Sequence, residues 1–174
     1  MSELQRFLGT WEFETDNTVK LLKALPKDQY DFRPDPDGRS LGELAWHLAE
    51  VDAYMTNGIS NGTLAIGSGR PAGIERPRTI EALAPNFERV HREAVERVKK
   101  LSPEDLDREI PFFNGRPIEI RHVLWGAVLH HSIHHRAQLH LMVRLAGAVP
   151  PSMYGPSRED TIAMKAKAQA PAKA

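Results

Sequence analysis

The chain has 174 residues, 23 Lys+Arg against 23 Asp+Glu, no formal net charge and no cysteine. Its length suits one domain with a single core, and its balanced charge disfavours recruitment of nucleic acid or an anionic membrane by a global field. The missing cysteine excludes disulfides, thiolate nucleophiles and thiolate metal ligands, so a metal site here must use histidine, carboxylate and water. The start MSELQRFLGTWEFE carries acidic residues early and lacks an uninterrupted apolar run, and no later run approaches a membrane span. A soluble, unprocessed, cytoplasmic protein is expected.

In chain order, Ser2 to Leu25 reads as a first helix, because Leu4, Phe7, Leu8, Trp11, Thr15, Thr18, Leu22 and Leu25 keep close to a 3.6-residue period; Pro26 ends it. The proline- and aspartate-rich stretch Leu25 to Arg39 reads as a rigid loop. Ser40 followed three residues later by Glu43 is a capping box opening a second helix, on which Leu44, His47, Val51 and Tyr54 share a seam. Gly58 and the run Asn61 to Pro77 then stop that helix, and a connection of such length suggests a crossover or a covering loop. A third helix is expected from Thr79 or Pro85 to Leu101, with Phe87, Val90, Ala94, Val95, Val98 and Leu101 on one side and a charged opposite face.

Pro103 closes the third helix, and Asn114-Gly115 within Arg108 to Ile120 is the signal for a tight hairpin turn between two short strands. Ile118 to Gly147 has helix length, no internal proline and apolar residues throughout, and ends on glycine. The expected architecture is an all-α four-helix bundle over residues 1–157, with a long connection between helices two and three and a short β-hairpin before helix four. Residues 158–174 read as an Ala/Lys-rich tail, ordered only if it docks on another surface.

The fourth helix is rich in histidine. Leu124, Val128, His131, His135, Gln138, Met142 and Leu145 step by four and three, while His130 and His134 share a neighbouring seam with Val123, Ala127, Ala137 and Leu141. Either i,i+4 pair brings two imidazoles to one side of a helix, where both reach one metal ion; the first row carries the larger apolar residues. Hydrogen-bonded core histidines are the competing reading. With His47 on the second helix, His131 and His135 would make a three-nitrogen set, and three protein ligands leave the open position that a catalytic metal uses. Glu50 and Asp52 are the nearby carboxylates, either as a further ligand or as solvent-facing charges.

The blocks LPKDQYDFRPDPDGRSLGELAWHLAEVD and HHSIHHRAQLHLMVRLAGAVPPSMYGPS resemble the two signature blocks of the DinB-like family, also described as YfiT-like metal-dependent hydrolases. The resemblance extends to about Ser157. It implies a DinB/YfiT four-helix bundle in which one bundle helix supplies a histidine and the last supplies an H-x3-H pair followed by Arg and Gln. On this sequence that selects His47, His131 and His135, with Arg136 and Gln138 matching the tail of the motif. Ala137 stands where the family frequently has glycine, a departure that removes no ligand.

What the resemblance implies for function is a metal-dependent enzyme of thiol transferase or hydrolase type, acting on a small molecule. The metal would be a divalent transition ion, zinc or nickel with iron as a third choice, and a low-molecular-weight thiol is a candidate co-substrate. The alternative is a non-catalytic, stress-associated bundle whose metal stabilises the fold or an oligomer. A homodimer is expected, with no nucleic-acid or membrane partner. Tyr30, Phe32, Arg33, Met153 and Tyr154 are expected at one end of the bundle, as the substrate mouth or as a hydrophobic cap.

Overall fold

Ser2 starts the first helix with its side chain: Ser2 Oγ accepts from the Gln5 N–H, and Gln5 Oε1 accepts from the Ser2 N–H. This reciprocal capping satisfies two of the donors that a helix start leaves open. Helix α1 (Glu3–Lys23) follows and buries Phe7, Trp11, Leu21 and Leu22 along one face. A computed structural model supplies the fold and describes residues 1–66 and 71–169. Part of the expected long connection, and the end of the expected tail at 170–174, lie outside the described residues.

The loop after α1 is fastened to the start of α2 (Leu41–Asn61). Leu41 N–H donates to Phe32 O and Gly42 N–H to Tyr30 O, both at 2.9 Å. The Tyr30 ring presses so closely that a Cβ on Gly42 would sit 2.4 Å from its Cε2, so this position excludes larger residues. Ser40 and Glu43 form the expected capping box, with the Glu43 N–H 3.2 Å from Ser40 Oγ. Arg33 and Arg76 both pair with the Glu43 carboxylate. The Ser40 N–H and Arg33 together hold its pKa down to about 2.

Of the expected stop signals, Gly58 and the run from Asn61, the second holds and the first does not. The helix continues to Asn61 and ends where Gly62 turns left-handed, with φ 74°. Gly58 has a different duty: Leu64 folds back onto it, and a Cβ there would meet Leu64 Cδ2 at 2.2 Å. Helix α3 (Ile80–Val98) begins after Thr79, and Pro85 lies inside it rather than at its start. A 3-10 turn (Glu104–Asp107) leads into β1 (Glu109–Pro111), which pairs antiparallel with β2 (Pro117–Glu119), Ile110 opposite Ile118. The Phe112 N–H bonds Arg116 O at 2.9 Å, so three residues, Phe113 to Gly115, form the loop, with Gly115 at φ 75°.

The fourth helix, α4, spans residues 120–145 and is not uniform: Ile120–His122 is α, Val123–His130 is π, and His131–Leu145 is α again. The unbroken 3.6-residue seam expected across it therefore needs correction. In the π stretch the buried residues pair five apart, Val123 with Val128 and Leu124 with Leu129, as i to i+5 bonding requires. Beyond it Arg136, Leu139, Met142 and Val143 return to α spacing. Helix α5 (Arg158–Gln169) occupies part of the stretch read as tail, and Arg144 of α4 pairs with its Glu159.

These pieces make the mostly helical bundle that the sequence predicts. Helix α2 lies against both α3 and α4, and α1 completes the core. One buried cluster joins Leu21, Leu48, Phe87 and Leu139; a second joins Phe7, Val51, Val98 and Val128. No helix among the described residues is long and apolar enough to cross a membrane.

Candidate metal centre

His47 comes from the first third of α2, and His131 and His135 from the two turns of α4 that follow the π stretch. Their rings meet edge to face, with centroids 4.7 Å apart for His47 and His135 and 4.4 Å for His131 and His135. His131 Nε2 lies 3.4 Å from His47 Nε2 and 3.1 Å from His135 Nε2. One donor atom from each of the three falls within 4.8 Å of the others. Three nitrogens on a tetrahedral ion at about 2.0–2.1 Å stand roughly 3.3–3.4 Å apart, so this convergence fits an ion of that size.

The outer nitrogens support the same arrangement. Gln138 Oε1 is 2.7 Å from His135 Nδ1, and Glu50 Oε2 is 3.3 Å from His47 Nδ1. An acceptor at Nδ1 takes the ring proton there and leaves Nε2 with its lone pair directed at the centre. If both rings adopt that tautomer, His131 Nε2–H can satisfy only one of the two lone pairs facing it. A cation would satisfy all three rings.

Burial, followed by the neighbouring charge of His47, pushes the His131 pKa down. His135 falls to about 4, chiefly through burial; its bond to Gln138 opposes the shift, and the charges of His47, His131 and His134 add to it. Neutral imidazoles are what a metal needs. In the metal-free protein the sign follows from linkage: an unfolded histidine near 6.5 takes up a proton at a higher pH than folded His135, so stability is present above 6.5 and is lost as pH falls toward 4. Thermal melts should therefore be level above neutrality and drop between pH 6.5 and 4.5, and His135→Asn should flatten that drop. An unchanged slope in the variant would show that His135 is not held neutral.

The competing pair on the same helix stays outside the cluster. His130 and His134 are exposed, as is Leu141 on their seam. Of the two nearby carboxylates, Glu50 orients His47 from behind. Asp52 is neither a member of the triad nor solvent-facing: it is 2% exposed, 2.8 Å from His91 Nδ1 of α3. Burial raises the Asp52 pKa, and hydrogen bonds from His91 and Trp11 oppose this. Sequence reading missed the pair, although Leu48, Asp52 and Met55 share a face of α2 and Phe87, His91 and Ala94 one of α3.

The motif residue Arg136 also turns from the triad. It is buried and donates to the Glu14 carbonyl and carboxylate and to Thr18 Oγ1 on α1, and to Tyr154 Oη. Tyr30, Phe32 and Met153 pack on the core as a cap, and Arg33 is engaged by Glu43. Tyr154 and Met153 line a separate groove behind α4. The groove that borders the triad at His135 holds about 370 Å³ and is lined also by Gln138, by Leu44 and by Pro34, Asp35 and Arg39 of the loop before α2.

A helical bundle with three imidazoles converging between its second and fourth helices defines the class of protein. The model of the DinB superfamily matches residues 10–139, and the chain belongs to that superfamily. It is 27% identical over 157 residues to YrdA of Bacillus subtilis (strain 168), covering 90% of this chain and 91% of the relative. Among solved structures, a DinB-like protein from Bacillus cereus ATCC 10987 superposes with a TM-score of 0.70 at 26% identity, over 85% of this chain and 95% of that one. YjoA, a DinB-like protein of B. subtilis, shares the fold with a TM-score of 0.67 at 22% identity, over 85% and 97%.

Proposed function

We propose that the protein is a divalent-metal-dependent enzyme of thiol transferase or hydrolase type, with His47, His131 and His135 as the metal ligands. The observation that carries this reading is the convergence of three imidazole nitrogens, two of them backed by Glu50 and Gln138. A divalent ion bound there supplies Lewis acidity at an open position, lowering the pKa of water or a thiol. The chain's own residues do the rest. Gln138 and Glu50 fix ring orientation and tautomer, and burial keeps His131 and His135 unprotonated at neutral pH. The cysteine-free donor set suits zinc and nickel, with iron as a third choice.

Binding of a small molecule is supported by the groove that borders His135 and lies between the loop before α2 and the outer face of α4. That groove favours catalysis over a purely structural ion, because a structural site is closed by a fourth protein ligand and needs no access. A homodimer is also part of the proposal, supported by an exposed apolar side chain outside the groove, Phe13 of α1. The test is turnover of electrophiles with low-molecular-weight thiols, and of hydrolysable esters and amides, by protein reconstituted with zinc, nickel or iron. Metal-dependent turnover that His131→Ala abolishes supports the enzyme. A protein that binds one equivalent of metal, gains thermal stability from it and turns over none of these would be the non-catalytic bundle instead.

A further inference from the structure

The groove beside the triad has chemistry of its own. Leu44, Leu141 and Met142 give it an apolar wall, and Arg39 is the one arginine or lysine among its lining residues. The Arg39 side chain is exposed and makes no ion pair or hydrogen bond among the described residues, whereas Arg33 and Arg76 nearby are both engaged by Glu43. The carboxylate that shares the groove, Asp35, accepts a hydrogen bond from the Asp37 N–H within its own loop turn. An unpaired guanidinium, an apolar wall and His135, one member of the three-imidazole centre, therefore share one groove.

We propose that Arg39 is a specificity-determining residue that holds an anionic group, a carboxylate or its equivalent, on the substrate molecule whose other end lies at the His47, His131, His135 centre. The inference rests on the reading of that centre as a metal site. A guanidinium recognises a carboxylate through two parallel N–H donors, which gives orientation as well as attraction. The substrate class follows from the groove: a small molecule with a metal-seeking end, a short apolar body against Leu44 and Met142, and an anionic end at Arg39. A neutral molecule of the same size would lack the last contact.

The experiment uses the cobalt-substituted full chain and two probes, 3-mercaptopropionate and 2-mercaptoethanol, each titrated while the thiolate-to-cobalt absorption is followed. The readout is binding, independent of turnover. Wild type should prefer the carboxylate-bearing thiol, and Arg39→Gln should cut that preference about tenfold while cobalt content stays the same; Arg39→Lys should keep part of it. Comparing the two proteins cancels differences in thiol basicity and chelation. A preference that Arg39→Gln leaves unchanged, or equal weakening of both probes, would overturn the proposal with the metal reading intact. Failure of wild type to take up cobalt would overturn the metal reading itself, and the role of Arg39 with it.

Discussion

Replacing His131 or His135 with alanine is expected to lower metal affinity by about 100-fold or more, while His130→Ala and His134→Ala keep most of it. The four residues are neighbours on one helix and alternate in fate. His131 and His135 turn toward His47, with Nε2 atoms 3.1 Å apart, whereas His130 and His134 are exposed. His47→Ala belongs with the first group, since it supplies the ligand from α2. Gln138→Ala should have an intermediate effect, roughly tenfold, because it releases the His135 ring without removing a nitrogen. Metal content after dialysis, measured alongside circular dichroism, checks the series. Equal loss from all four alanine variants on α4 would indicate a general folding effect in place of ligation.

The second large effect is expected at Arg136, which serves the fold. Only 3% exposed, it ties α4 to α1 through the Glu14 carbonyl and carboxylate and Thr18, and reaches Tyr154 in the segment after α4. Removing one partner of a buried ion pair leaves the other charge without compensation, so Arg136→Ala should cost about 3–5 kcal/mol in urea unfolding. A well-packed apolar replacement of both partners is far less costly. Arg136→Met combined with Glu14→Gln should therefore recover part of the loss, a non-additivity expected only of groups in contact. A loss below about 1 kcal/mol for Arg136→Ala would mean that the pair behaves like an exposed one.

Much of this was legible from residue types and spacing. Ser40 and Glu43 declared the start of α2 because capping is a local interaction. The choice of His131 and His135 needed the motif as well as the seam, since His130 and His134 repeat the same i,i+4 spacing. Other features were hidden for identifiable reasons. In Val123 to Leu129 nearly every residue is apolar, so a five-residue repeat cannot be distinguished there from a four-residue one. Gly58 looked like a helix stop because its use, admitting Leu64 against the helix, is tertiary. The Asp52–His91 pair spans two helices, and only its position among apolar residues hinted at burial. For Tyr154 the sequence allows either a substrate mouth or a hydrophobic cap, and neither anticipates that its hydroxyl is claimed by Arg136 and Glu14.

The central claim is that the three imidazoles share one ion. X-ray absorption at the metal edge of protein purified from metal-replete culture tests it most directly. The account predicts one divalent ion per chain, with three imidazole nitrogens at about 2.0–2.1 Å and at least one further light-atom ligand, a pattern lost in His131→Ala and unchanged in His130→Ala. A protein that retains no ion, or an ion whose imidazole scattering persists when His131 and His135 are both replaced, would contradict it.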